Sequence, residues 1–314
     1  RGVRVPKWAG DVFEALFLID KLEFLLALSR TQHFGKAAEA CGVTQPTLSA
    51  GVKALEAQLG VRLVNRGSRF IGFTDEGARV LGWARQIVAA ERGMHDDLRT
   101  LREGLSGTLR IGVIPTALAT VPVLTTQFLA RHPAVRFTIS ALSSFDILHK
   151  LDNLEIDAGL TYLENEPLGR VRAIPLFRER YRLLTAAHLP LGARHSVSWR
   201  ELASLDLCLL TRDMQNRRIL DRLLAREGEG RPPVLESNSI VTLLAHVRTG
   251  QWASILPETL ADLVDAPGPM RSIPIVDPDI TQTIGLIVAS RDPATPLCDM
   301  LVEHANALRI DVGR

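Results

Sequence analysis

A chain of 314 residues exceeds the usual size of one domain, so two or three compact units are expected, each able to bury a core of its own. Hydrophobic residues at 46% and charged residues at 23% exclude an intrinsically disordered chain, and a net charge of +2 excludes a protein that is basic all over, so any nucleic-acid surface has to be a local cluster. The three cysteines, Cys41, Cys208 and Cys298, are far apart and odd in number, which suits neither a disulfide framework nor a zinc site with paired ligands and fits a reducing cytoplasm. No metal or cofactor is expected.

The most apolar early stretch, Phe13 to Leu28, is broken by Glu14, Asp20, Lys21 and Glu23, so it is not expected to cross a bilayer. It lacks the basic, apolar, small-residue order of a secretion signal, and residues 1–18 are set aside as a tail outside the fold argument. From Asp20 to Gly60 the spacing predicts three short helices around one shared core. Leu22, Leu25, Leu26 and Leu28 serve the first, and Phe34, Ala37, Ala38 and Cys41 the second. Gly42 marks a tight turn, and Thr44 or Gln45 opens the third, with Pro46 tolerated in its first turn because the missing N–H has no intrahelical partner there. In that third helix Leu48, Val52, Leu55 and Leu59 form the buried stripe, leaving Pro46, Thr47, Ser49, Ala50 and Lys53 outside. An outer face so short, polar and basic can enter a major groove, with hydroxyls and amides on base edges and Lys53 on a phosphate; taken alone, such a face is more often plain solvated surface.

The run HFGKAAEACGVTQPTLSAGVKALEAQLGVRLVNRGSRFIGFTDEG decides between these, because throughout its length it resembles the DNA-binding domain of LysR-type transcription regulators. Ala37 and Ala38 match the family's paired alanines, Gln45, Pro46, Leu48 and Ser49 its SQPALS, and Leu55, Glu56, Leu59 and Gly60 its LExxLG; Leu63, Arg66, Thr74 and Gly77 complete the pattern. Val64 departs from the usual phenylalanine, and Gly51 is expected to weaken its helix by about 1 kcal/mol relative to alanine. The resemblance implies a winged helix-turn-helix over 19–74, with Gln45, Pro46, Thr47, Ser49 and Lys53 facing double-stranded DNA. The segment VRLVNRGSRFIGFT reads as a hairpin wing with a basic tip, Arg62, Arg66 and Arg69 supplying the local positive field and Arg66 the phosphate contact.

From Thr74 to about Arg102 there is no proline, Thr74 can cap, and Asp75 with Glu76 complements the positive end of the helix dipole. Val80, Ala84, Ile87, Met94, Leu98 and Leu101 follow a coiled-coil spacing that Glu91 interrupts, and an element about 40 Å long suits pairing with its own copy. A linker helix over 75–103 and a homodimer or homotetramer are expected, the alternative being a helix that packs on its own domain.

Glu103 to Gly107 is a flexible stretch, after which RIGVI, VRFTIS, AGLTYL, YRLLTA, LCLLT, ASILP and TIGLIVAS read as strands with helical patterns between most of them, which suggests parallel sheets covered by helices. The family resemblance implies a periplasmic-binding-protein-like effector domain over 104–310, with one lobe of 108–181 and 287–310, another of 182–286, and crossovers near Arg180 to Leu184 and Thr283 to Ile287. The fold class is thus α/β overall. Ligands in such sheets sit at the carboxyl ends of strands. The loops there carry Pro115, Thr116, Ser143, Ser144, Thr161, Thr211, Arg212 and Asn238, rich in hydroxyls and nearly free of acids, which suits a small anion with Arg212 as counter-charge, although each hydroxyl can also be a plain helix cap. Ser143 and Ser144 take the effector-loop role by resemblance, and Trp252 stands where the family's GxGxxxLP has glycine. A fainter similarity of this lobe, to regulators associated with formate metabolism, bears on the effector alone.

Enzyme and transport readings find less support. There is no G-x-S-x-G elbow, phosphate-cradling glycine loop or H-E-x-x-H helix, and His132, His149, His188 and His195 lack ligand spacing. A solute-binding transport protein would share the two-lobed domain but would need export and no helix-turn-helix. The expected function is a cytoplasmic, sequence-specific DNA-binding transcription regulator that senses a small molecule.

Overall fold

The structure, a computed structural model, describes residues 7–66, 70–228, 231–263, 270–290 and 294–308, and it divides into two compact units, 1–98 and 99–314. Among the described residues no helix is long and apolar enough to cross a membrane.

In the first unit α1 (Lys7–Thr31), α2 (Phe34–Ala40) and α3 (Gln45–Leu59) are followed by the antiparallel pair β1 (Val64–Arg66) and β2 (Phe70–Phe73), and then by α4 (Asp75–Glu103). The first helix begins well before Asp20, inside the segment set aside from the fold argument. Leu22, Leu25, Leu28, Ala37, Ala38, Leu48, Val52 and Leu55 close one core, as the helical periods dictate. Leu59 differs: it is 43% exposed, because α3 ends there and Gly60 turns the chain away in a left-handed conformation at φ 70°.

Two residues of the expected α4 seam, Val80 and Ala84, face inward. Ala84 is fully buried, and Val80 packs against the same core as Leu81 and Val88, so this part of the expected seam faces inward onto its own unit. The outward apolar stripe is instead Trp83, Ile87, Met94 and Leu98, exposed by 66%, 40%, 54% and 49%. Both stripes keep the helical period, and tertiary packing selects which one is covered.

The second unit runs β3 (Gly107–Val113), a 3₁₀ turn (Pro115–Thr120), α5 (Val121–Arg131), β4 (Val135–Ala141), α6 (Ser144–Asp152), β5 (Ala158–Tyr162), β6 (Val171–Ala186), β7 (Val197–Ser198) and α7 (Trp199–Leu202). It continues with β8 (Cys208–Leu210), α8 (Gln215–Arg226), β9 (Leu235–Ser237), α9 (Ile240–Arg248), β10 (Ser254–Pro257), α10 (Glu258–Asp262), β11 (Met270–Val276), β12 (Thr281–Ala289) and α11 (Pro296–Leu308). The parallel pairs β3/β4, β3/β5 and β8/β9 fit the alternating strand–helix pattern. The sheets are nevertheless not parallel throughout. The long β6 runs antiparallel to β12 over Val171 to Arg180 and then antiparallel to β10 and β11 over Tyr181 to Ala186, so one strand serves both halves of the unit. β12 is also antiparallel to β5. A chain that crosses between lobes and returns must bring at least one strand back in the opposite direction, and YRLLTA captured only the second half of β6.

Candidate functional site

The reader helix is built by its cap. The Thr44 hydroxyl accepts from the Thr47 N–H at 3.4 Å and lies 2.8 Å from the Thr47 hydroxyl, while Pro46 occupies the first turn. Gln45, Pro46, Thr47 and Lys53 are exposed and Ser49 half-buried, whereas Leu48, Val52 and Leu55 form the buried stripe. The backbone of Arg66 lies in β1, but its side chain, together with Gly67, Ser68 and Arg69 at the wing tip, lies outside the described residues.

The geometry explains why the motif residues have to be what they are. The Glu56 carboxylate accepts from the N–H groups of Leu63 and Val64 at 2.9 and 3.1 Å, tying the end of α3 to the start of the wing. Thr74 donates to the Arg62 carbonyl at 2.7 Å and accepts from the Gly77 N–H at 2.9 Å, which caps α4 against the base of the wing. A Cβ on Gly77 would stand 2.0 Å from the Leu63 carbonyl oxygen, so only glycine lets α4 approach this closely. Gly51 is a close approach too: a Cβ there would lie 2.6 Å from the Phe24 ring, so the helix propensity it gives up is exchanged for packing of α3 on α1.

In the second unit the described pocket is lined by Ile114, Pro115, Thr116, Ser144 and Tyr162 on one side and Leu210, Met214, Gln215 and Asn216 on the other, and it has room for about one water molecule. Pro115 and Thr116 enter it from the 3₁₀ turn after β3. Ser143 caps α6: its hydroxyl accepts from the Asp146 N–H at 3.1 Å and donates to the Asp146 carboxylate at 2.7 Å, so the capping role accounts for it. Ser144 is buried, donating to Glu166 Oε2 at 3.4 Å and accepting from Arg218 Nη2 at 3.3 Å.

Five of the expected lining residues, Ser143, Thr161, Thr211, Arg212 and Asn238, do not line this pocket. Thr161 is fully buried within the sheet opposite Gly285, because adjacent residues of a strand point to opposite faces and it is Tyr162 that reaches the pocket. Arg212 is exposed and offers only its carbonyl, to Arg218 Nη1 at 3.0 Å. Asn238 is exposed beyond β9 and does not line the pocket. Thr211 is half-buried; its N–H donates to the Ser237 carbonyl at 3.2 Å, and its hydroxyl has no partner.

Sequence reading missed the polar heart of the cleft. Tyr162 OH donates to Glu179 Oε1 at 2.7 Å, accepts from Asn216 Nδ2 at 3.1 Å and lies 3.2 Å from the Thr116 hydroxyl, which must then be the donor. Glu179 is 1% exposed, and burial pushes its carboxyl up to about 8 even though the Tyr162 hydrogen bond pulls the other way. Burial, reinforced by Glu179, raises the Tyr162 and Tyr181 hydroxyls well above the usual tyrosine range. Strand alternation could have revealed this acid, since Glu179 falls on the inward side of β6 between Phe177 and Tyr181 while Arg178 and Arg180 face out. The missed cation is Arg218, whose guanidinium takes the Glu166 carboxylate in a two-pronged pair at 2.7 and 2.8 Å. Trp252, in the glycine position of the family pattern, packs instead against α9, its ring 5.5 Å from that of His246.

No disulfide joins Cys41, Cys208 and Cys298, and burial pushes the thiols of Cys208 and Cys41 up. Cys298 is half-buried, its Sγ 3.8 Å from the Asp157 carbonyl.

Comparison with known proteins agrees with this architecture. Residues 19–78 match the family described as bacterial regulatory helix-turn-helix protein, lysR family, and residues 102–309 match the LysR substrate binding domain. The chain is 28% identical over 296 residues to the DNA-binding transcriptional dual regulator OxyR of Escherichia coli K12, covering 93% of this chain and 94% of that protein. A full-length OxyR from Pseudomonas aeruginosa carrying a cysteine-to-aspartate change is 27% identical, with a TM-score of 0.73 over 93% of this chain and 98% of that one. CbnR in complex with its target DNA, at 20% identity, shares the fold, with a TM-score of 0.65 over 92% of this chain and 99% of that one. With both of its units matched in order, the chain belongs to the LysR family of transcription regulators, DNA-binding proteins that carry an effector-binding domain.

Proposed function

We propose that this regulator acts as a homodimer or homotetramer in the cytoplasm, takes a small anion as effector in the cleft of its second unit, and catalyses no reaction. One observation carries the effector reading. The hydroxyls of Thr116, Ser144 and Tyr162 converge on the first turn of α8, which has no side-chain cap to satisfy its leading N–H groups. Hydroxyls and unclaimed N–H groups suit a carboxylate or other oxyanion. Since the cleft holds only about one water, a ligand needs its walls to part, and binding one arrangement better than another is what lets it change DNA affinity. Calorimetric titration of small carboxylates and oxyanions into the full chain tests this. Thr116→Val, which removes a buried donor without changing shape, is expected to weaken the ligand about tenfold or more; equal affinity in both proteins would place the effector elsewhere.

In the reader, Gln45, Thr47 and Ser49 face base edges, Pro46 sets the helix entry, and Lys53 and Arg66 hold phosphates. Lys53→Ala is expected to weaken all DNA alike, whereas Gln45→Ala costs roughly 1–3 kcal/mol on the cognate site alone. Fluorescence anisotropy with cognate and scrambled duplexes checks the division; equal losses of both variants on both duplexes would remove it.

The peroxide response named in relatives such as the hydrogen peroxide-inducible genes activator of Escherichia coli O157:H7 is not carried to this chain. It is the thiolate, not the neutral thiol, that attacks peroxide, and burial favours the neutral thiol at Cys41 and Cys208.

A further inference from the structure

We propose that Arg218 and Ser144 form the anion seat of the cleft and that Glu166 occupies it as a built-in carboxylate ligand, so that a carboxylate or oxyanion effector binds by displacing Glu166. This rests on the reading of the cleft as an anion site and names its cation and its internal competitor.

The seat is prepared from both sides. Arg218 Nη1 donates to the carbonyls of Arg212 and Asp213 at 3.0 and 2.7 Å, which fixes the plane of the guanidinium. The remaining edge, Nε and Nη2, presents two parallel donors to Glu166 Oε1 and Oε2, and Nη2 also reaches the Ser144 hydroxyl. A forked guanidinium of this kind selects planar carboxylates and oxyanions over neutral or cationic molecules. Glu166 arrives on the segment that follows β5. The end of β5 and that segment are each fastened to the start of α8 at one further point, Asn216 Nδ2 to Tyr162 OH at 3.1 Å and Gln215 Nε2 to the Glu164 carbonyl at 3.0 Å. Residues 162, 164 and 166 thus form a strap across the cleft, and the Glu166 carboxylate is its outermost fastening.

The fastening can be exchanged because it is wet. The side chains of Arg218 and Glu166 are 33% and 30% exposed, and a pair open to solvent contributes little net stability, whereas a fully buried one could not be broken without stranding a charge. An incoming carboxylate keeps the Arg218 pair intact and releases Glu166 to water. The internal ligand therefore lowers apparent effector affinity by the fraction of time the seat is free.

Acetate is the probe, titrated calorimetrically into the full-length wild type, Glu166→Ala, Glu166→Gln and the double variant Glu166→Ala/Arg218→Gln. Both single variants are expected to bind acetate about tenfold more tightly than wild type, as for a seat free about one-tenth of the time, and the double variant to lose this binding. Equal affinity of wild type and both single variants, acetate binding retained by the double variant, or no acetate binding by any of the proteins would overturn the proposal. Affinity for operator DNA, measured in parallel, separates this from the effector reading. Acetate bound through Arg218 with DNA affinity unchanged upholds the seat and removes its regulatory role. An effector that still alters DNA binding in an Arg218→Gln protein overturns the seat and leaves effector sensing standing.

Discussion

Glu179→Gln is expected to be more stable than the wild type at pH 8.5 by on the order of 3 kcal/mol, and close to it at pH 5. The folded protein holds the Glu179 carboxyl up at about 8, against an ordinary value of 4.5, chiefly because burial disfavours the charged form. Between those two values the folded state keeps a proton that the unfolded chain gives up. Stability contributed by the neutral acid is therefore fully present below about pH 4.5 and is lost as pH rises through about 8. Glutamine has the same shape, cannot ionise, and can still accept from Tyr162. Urea unfolding of the full chain followed by tryptophan fluorescence, repeated from pH 5 to 8.5, measures the difference. Parallel midpoints for the two proteins across that range would mean that Glu179 is ionised in the folded state.

Ile87→Asp is expected to give monomers and to reduce operator affinity by at least about a hundredfold, since joining two readers on one site multiplies affinity by roughly 10²–10⁴. Ile87 is central to the outward stripe of Trp83, Ile87, Met94 and Leu98, and apolar side chains this exposed on a long helix fit pairing with a second copy. A carboxylate at that position would be buried unpaired in the seam, while in the single chain it meets solvent, so the first unit still folds. Sedimentation velocity with anisotropy on operator DNA reads both effects. A dimeric Ile87→Asp protein with unaltered affinity would place the assembly surface elsewhere. Ala84 would be a poorer test position, because it is wholly inside its own unit and a charge there would unfold it.

Local features were legible in the sequence because their causes are local. A helix buries one face every 3.6 residues, so Leu22, Leu25, Leu28, Leu48, Val52 and Leu55 could be assigned to one core from the sequence, and Thr74 could be recognised as a cap from its place before a helical run, whereas the choice between Thr44 and Gln45 at the start of α3 fell to the structure. The motif residues Glu56 and Gly77 were recognisable as a pattern, but their reason is tertiary: one grips the backbone at Leu63 and Val64, the other leaves room for the Leu63 carbonyl.

What the tertiary structure decided is which of several locally equivalent faces is covered and which distant groups meet. The period of α4 allows both the stripe through Ala84 and the stripe through Trp83, and only packing against α1 to α3 selects the first for the interior. Hydroxyl-rich strand ends pointed to Thr116 and Ser144, and equally to Thr161 and Asn238; strand direction sends Thr161 into the sheet, and Asn238 stays in solvent. Arg218 and Glu166 lie 52 positions apart and Tyr162 and Asn216 lie 54 apart, on elements whose adjacency follows from the crossing path of β6. Periodicity carries no information at that separation. The amino-acid order by itself determined the helix-turn-helix, its caps and its place in the family; the charge and hydrogen bonds inside the cleft exist only because folding brings together side chains that have no local reason to meet.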